Sequence, residues 1–240
     1  GTGETIYFNC DYPVNAYSGN IMIKSPVSLL ADATLQGNGT IFFSDNLDSS
    51  SSGEFNLSFM GGESEIVYFA KDVGKNYALK NFYASGRLVS IDEDIQFEVS
   101  NLAVFDAGFA ADLSDYSFTF TGNAEISGSN TFKEFTIDNS SFGSASTIEF
   151  ESGKTQTITE NFVVKGSSGK NVTLDSIDSS GEWNVAFSTA PSNSDFEYVV
   201  VKNSTSATEL SLFNAYASIS SDFSIADTDS STTNWFSTRS

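Results

Sequence analysis

The chain has 240 residues, 31 acidic against 11 basic, for a formal net charge of −20, and it has no cluster of Lys and Arg able to neutralise phosphates, which excludes nucleic acid and anionic membrane surfaces as partners. Histidine is absent and Cys10 is the sole cysteine, so histidine-based nucleophile systems, a Cys/His zinc site and an intrachain disulfide are excluded as well. The 22 Phe, 9 Tyr and 2 Trp are more aromatic surface than a disordered acidic chain carries, and no apolar run reaches the 18 residues of a membrane span, so this segment is not expected to insert in a membrane.

The start "GTGET" reads as that of a processed chain or an excised fragment. Residues 1–36 are predicted to form an N-terminal capping or otherwise atypical segment. Cys10 in "YFNCDY" is predicted to be a small strand residue, and "VSLLADATL" (27–35), the best helix candidate, lacks a sustained apolar stripe. The periodicity along the chain is two, not 3.6. "EFNLSF" (54–59) places Phe55, Leu57 and Phe59 on one face. "DIQFEVSNLAVF" (94–105) places Ile95, Phe97 and Val99 there, followed by Leu102 and Val104. "DYSFTF" (115–120) does the same with Tyr116, Phe118 and Phe120. Val172 and Leu174 alternate in "NVTLDS", as do Trp183, Val185 and Phe187 in "EWNVAF". Such alternation over four to eight residues marks half-buried strands. Gly, Ser, Asn and Asp punctuate the runs, as tight turns require.

Residues 37–59, 62–85 and 86–108 align with one another. Each opens with Gly and a short aromatic or β-branched strand, then has a charged turn with one apolar residue, then a second strand. A period of roughly 23 to 25 residues belongs to solenoids and arrays. A strand-only unit of that length fits one coil of a right-handed parallel β-helix, predicted here over 37–240 with a module seam near 122–131. The competing fold is a β-sandwich, which also has short strands at turn-punctuated spacing.

The phrases "GTIFF" through Leu47 (39–47) and "IVYFAKDVGKNYALKNFYASG" (66–86) carry a family cadence at Ile66, Phe69, Val73-Gly74, Leu79, Phe82 and Gly86. They resemble the passenger and repeat regions of large bacterial exported surface proteins, the autotransporters and filamentous-haemagglutinin-type adhesins. The C-terminal half resembles a second recurrent β-helix module of giant exoproteins, over "FKEFTIDNSS" (132–141), "TIEFESGKTQTITENFVVKGSSGKNVTLDS" (147–176), "GEWNVAF" (181–187), "FEYVVVKNSTSA" (196–207) and "TTNWF" (232–236). The resemblance implies an extracellular or cell-surface location and a structural or adhesive role. It transfers no functional residue, because such families share a solenoid and not a chemistry.

Each motif that invites a chemical reading also has a plainer one. "SGKT" (152–155) would need Gly at position 148 to be a phosphate loop; Ile148 stands there, so it is predicted to be a turn. Gly153-Lys154 and Gly169-Lys170, sixteen residues apart, read together as a statement of the repeat. "DED" (92–94) and "DTDS" (227–230) could hold Ca²⁺, a hard cation that favours carboxylates, or could be solvated turn acids. Paired acids could cleave glycosidic bonds, and polysaccharide-cleaving enzymes occur on this fold. The polysaccharide lyases among them want a basic residue beside Ca²⁺, for which Arg87 and Lys71 are poor candidates. Tyr7, Tyr77, Tyr83 and Tyr216 could stack on sugars, or could simply be outward sheet positions. Sequons at Asn38, Asn56, Asn139, Asn171 and Asn203 are about as many as this composition produces by chance. The sequence therefore predicts a non-catalytic structural or adhesive segment with no catalytic or cofactor-binding residue, whose partners are other subunits or surface glycans. The alternatives are a carbohydrate-binding module and a polysaccharide-degrading enzyme.

Overall fold

The computed structural model describes residues 4–9, 14–16, 19–37, 39–110, 113–178, 181–188, 195–206, 218–219 and 224–225. Among them there is no helix, and every register between named strands is parallel. The described residues form a β-solenoid of about seven stacked coils, and the chain divides into two compact units.

The first unit comprises residues 1–111 and 121–126. Its strands are β1 (Ile6–Phe8), β2 (Val14–Ala16), β3 (Ile21–Ile23), β4 (Val27–Leu29), β5 (Ala33–Gly37), β6 (Ile41–Phe43), β7 (Leu47–Ser49), β8 (Leu57–Phe69), β9 (Leu79–Ile91) and β10 (Ile95–Phe105). They stack coil on coil along three faces. On one face Ile21 pairs with Ile41, Ile41 with Val67 and Val67 with Val89, while Ile23, Phe43, Phe69 and Ile91 form the neighbouring column. On the second, β1 pairs with β4 and β4 with β7, and Val73 and Phe97 extend the Leu47 column by single bridges. On the third, Leu35, Phe59 and Ala84 stack. The stretch set apart in the sequence as an N-terminal segment thus contributes β1 to β5, stacked in the same parallel registers.

The second unit comprises residues 112–120 and 127–240. Strand β11 (Leu113–Ile126) gives residues 113–120 to this unit. It is followed by β12 (Asn130–Asp138), β13 (Ser146–Phe150), β14 (Thr155–Lys165), β15 (Val172–Ser176), β16 (Trp183–Phe187), β17 (Asp195–Glu197), β18 (Val199–Val201), β19 (Ser204–Ser206), β20 (Ser218–Ile219) and β21 (Ser224–Ile225). Its columns run Phe120, Ile137, Val164, Phe196 and Ile148, Leu174, Val201. Trp183 stacks on Phe150 with ring centroids 4.3 Å apart.

The alternation of the sequence is what builds these columns. In a strand every second side chain points inward, and in-register stacking places like above like. Burying each Phe, Leu, Ile or Val contributes about 1.5–3 kcal/mol. Phe43, Phe59, Phe69, Phe82, Phe97 and Phe105 form one continuous aromatic network.

The parallel registers dispose of the β-sandwich, whose sheets are antiparallel. Two details of the sequence reading are corrected. In β10 the buried residues after Val99 are Ala103 and Phe105, not Leu102 and Val104. The register shifts between Val99 and Leu102 as the chain turns a corner at Asn101, and inward pointing resumes one residue later than the larger side chains indicated. Gly153-Lys154 and Gly169-Lys170 both lie in turns, but at different corners. The first precedes β14 and the second precedes β15. Pairing of Thr155 with Asn184, and donation by the Gly153 N–H to the Glu182 carbonyl (2.7 Å), put the neighbourhood of Gly181 one coil above Gly153.

Candidate functional site

A surface groove of about 890 Å³ lies beside the β1–β4–β7 face of the first unit. Tyr7, Ser28 and Asp48 stand in register on successive strands, one residue per coil at about 4.8 Å spacing. Leu30, Asn76 and Tyr77 complete the principal lining. Tyr7 and Tyr77 are 62% and 51% exposed, so both rings are presented to solvent.

The turn that carries Tyr77 is held rigidly. Asp48 Oδ1 accepts hydrogen bonds from the Asn76 and Tyr77 backbone N–H groups (3.0 and 3.3 Å), and Asp48 Oδ2 accepts from Asn76 Nδ2 (2.9 Å). The Ser49 N–H donates to the Tyr77 carbonyl (3.0 Å). A carboxylate that accepts several N–H bonds across a coil boundary fixes the backbone of the ring it presents. Lys75, at the groove's edge, is ion-paired with Asp72 (2.7 Å), and that bond raises its pKa above the usual lysine range. Of the other sugar-stacking candidates, Tyr83 lies on β9 opposite Ser58 and does not line this groove, while Tyr216 lies outside the described residues.

Arg87 is a structural pin. It is fully buried at a corner and reaches across three coils. Its guanidinium donates to the carbonyls of Gly37, Gly39 (2.6 Å) and Ile66 (3.4 Å) and pairs with Glu65 Oε2 (3.1 Å). Glu65 Oε2 also accepts from the Gly62 N–H (2.8 Å). Burial pushes the guanidinium pKa down and Glu65 pulls it back up. The corner is open enough for this because residue 61 is a glycine: a Cβ there would lie 2.7 Å from Arg87 Nε. Gly61, the residue before the glycine that opens the second repeat, was the available signal. Its meaning, room for a buried arginine, was not readable from the sequence.

Lys71 pairs with Glu93, a bond that raises the lysine's pKa. Arg87 and Lys71 therefore have separate acidic partners and do not share a site. Among the described residues no group of three or more Asp, Glu or Cys is arranged to hold a metal ion, Asp92–Asp94 included; the second acidic motif, 227–230, lies outside the described residues, as does Cys10.

Sequence reasoning missed the polar ladders. At one corner of the first unit Asn56 Nδ2 donates to Asp32 Oδ2 (2.7 Å), Asn81 Nδ2 to Asn56 Oδ1 (2.7 Å), Asn101 Nδ2 to Asn81 Oδ1 (2.7 Å), and Asn123 Nδ2 to the Asn101 carbonyl (2.7 Å). In the second unit Asn130 Nδ2 donates to Gln156 Oε1 (2.9 Å), and Ser117 and Asn161 both donate to Glu134 (3.1 and 2.6 Å). Three of the sequons fall on such positions. Asn56, Asn139 and Asn203 donate their amide groups to Asp32, Ser146 and Asp175 respectively. The recurrence of Asn once per coil was visible in the sequence but concealed by the general abundance of Asn, Ser and Thr.

Comparison of the chain with protein-family models, with curated proteins and with solved structures found no match in any of the three.

Proposed function

We propose that this chain is a non-catalytic structural and adhesive segment of an exported surface or filament protein, assembling end to end. The observation that carries the reading is the arrangement of strand edges. Strands β4, β5, β6 and β8 are each paired on both sides by neighbours in the stack, whereas β1, β2 and β3 each pair with one described strand, β4, β5 and β6 respectively. An unpaired parallel edge is a template for a further strand, and a stack of coils can accept another stack without changing its geometry. The polar groups at the corners serve the same role: the Asx ladders and Arg87 hold coils to one another. The resemblance to bacterial surface-protein repeats favours a cell-surface or extracellular setting.

Multi-angle light scattering over a wide concentration range, with electron microscopy of the concentrated sample, tests the assembly. The expected result is a mass that grows with concentration and rods whose length increases in units of one chain. A monomer that persists at high concentration sinks the end-to-end model. The Ile21 N–H and the Ile23 carbonyl are bonded towards the β6 side (2.9 Å each), so the groups of Met22, the middle residue of β3, face the open edge. Introducing Pro at Met22 is expected to suppress growth by removing a ladder donor from that edge.

A further inference from the structure

We infer that the groove beside β1, β4 and β7 is a binding site for a neutral oligosaccharide lying along the stacking direction of the coils. The inference is independent of end-to-end assembly, since it rests on side chains that face outward.

Four features carry it. Two tyrosines present exposed rings to the same groove, Tyr7 at one end and Tyr77 beyond Asp48. Tyrosine offers an apolar face for the C–H surface of a sugar ring and a hydroxyl for its polar rim. The intervening positions, Ser28 and Asp48, follow one per coil in register with Tyr7, so the floor repeats at about 4.8 Å, a short polar repeat suited to a linear polymer of small polar units. Tyr77 is pre-organised. The three hydrogen bonds to Asp48 and the Ser49–Tyr77 bond fix its turn before any ligand arrives, which lowers the ordering cost of binding. The electrostatics select against acidic glycans. Asp48 lies in the floor, Lys75 is already paired with Asp72, and the whole chain carries a charge of −20, so an anionic polymer is repelled. An apolar peptide is a poorer fit, because Asp48, Ser28 and Asn76 would have to be desolvated against it.

Asp48 acts here as a positioning residue, holding Tyr77 through its backbone. Tyr7 and Tyr77 are the groups that touch the ligand.

The test is isothermal titration of the full chain with maltohexaose, cellohexaose and, as the acidic arm, an oligogalacturonate. At least one neutral hexasaccharide is expected to bind, and the oligogalacturonate to bind more weakly. Tyr7→Ala and Tyr77→Ala are each expected to weaken binding roughly three- to tenfold, the scale of one lost aromatic contact, and the double variant to abolish it. Both side chains are exposed, so circular dichroism of the variants is expected to match the parent. Asp48→Asn keeps the shape but weakens the hold on the Tyr77 turn, and is expected to weaken neutral-sugar binding less than Tyr77→Ala does. Failure of both neutral probes to bind at millimolar concentration overturns the proposal. So does binding that survives the double tyrosine variant, or tighter binding of the oligogalacturonate. None of these results bears on the light-scattering test of assembly.

Discussion

The two units solve the same problem with different side chains. Each must turn a chain through corners while keeping inward columns in register, and each must satisfy the backbone and side-chain polar groups that the corners leave over. The first unit does so with a surface ladder, from Asp32 through Asn56, Asn81 and Asn101 to Asn123, and with one buried cation, Arg87. The second places neutral amides inside, Asn130 against Gln156, with Gln156 donating in turn to the Gly128 carbonyl (3.0 Å). A coil's apolar columns can therefore be much the same in both units while the devices that fix its corners differ in charge and in depth. Damage to those devices is where the units should part company.

The largest difference is expected at Arg87. Arg87→Ala leaves Glu65 and the Gly37 and Gly39 carbonyls without their partner. Breaking a buried pair by removing one side costs about 3–5 kcal/mol. Hydrogen exchange read by mass spectrometry should show β5 to β9 losing protection while β12 to β18 keep theirs. Equal loss in both units would break the comparison.

Two glycines sharpen it next. Gly86 has φ of 66° and a Cβ there would lie 2.2 Å from the Gly61 carbonyl oxygen, whereas Gly153 has φ of 73° with nothing within 4 Å. Alanine pays about 1–2 kcal/mol for the left-handed conformation at either site. Only Gly86→Ala adds a backbone collision, so chemical denaturation should show it as clearly the more damaging of the two.

A smaller contrast separates the ladders. Asn130 is buried and Asn81 partly so. Asn130→Ala is expected to cost about 1–3 kcal/mol, by leaving Gln156 Oε1 short of a donor inside the protein, and Asn81→Ala about 1 kcal/mol, since water reaches that corner. Their thermal midpoints should rank accordingly. The smallest effect has the opposite sign. Ser49 is buried in the Leu29 column and its hydroxyl has no hydrogen-bond partner among the described residues. Ser49→Ala removes an unsatisfied polar atom and is expected to raise stability by up to about 1 kcal/mol, measurable as a higher denaturation midpoint.

The stacked strands were legible in the sequence because a solenoid writes its core as local alternation. Phe118 with Phe120, Val172 with Leu174, and Trp183 with Val185 are each buried where the period of two puts them. Legibility failed at corners. There the period is interrupted, so Asn101 could not be recognised as the turning point and Leu102 was given the inward place of Ala103. The two Gly-Lys turns misled for a related reason: a turn's residues report its local conformation, not which corner of the coil it occupies. Arg87 was hidden because its partners, Gly37, Gly39 and Glu65, lie in other coils and gain meaning only once those coils are stacked. The groove was half legible. Tyr7 and Tyr77 stood out as aromatics, but they are seventy residues apart, and only the stacking of the two coils between them, those of β4 and β7, makes them neighbours of one surface.

The reach of Arg87 has an evolutionary consequence. Arrays of this kind lengthen and shorten by duplication or loss of whole coils, which is tolerated when each coil depends on the ones directly above and below it. A side chain that bonds to the coil two below ties residues 37–87 into an indivisible block. Losing the middle coil would remove Gly61 and Glu65 together and strand the guanidinium, while inserting one would carry Gly37 and Gly39 beyond its grasp. Length variation among descendants of this chain is expected to respect that block and to fall on either side of it.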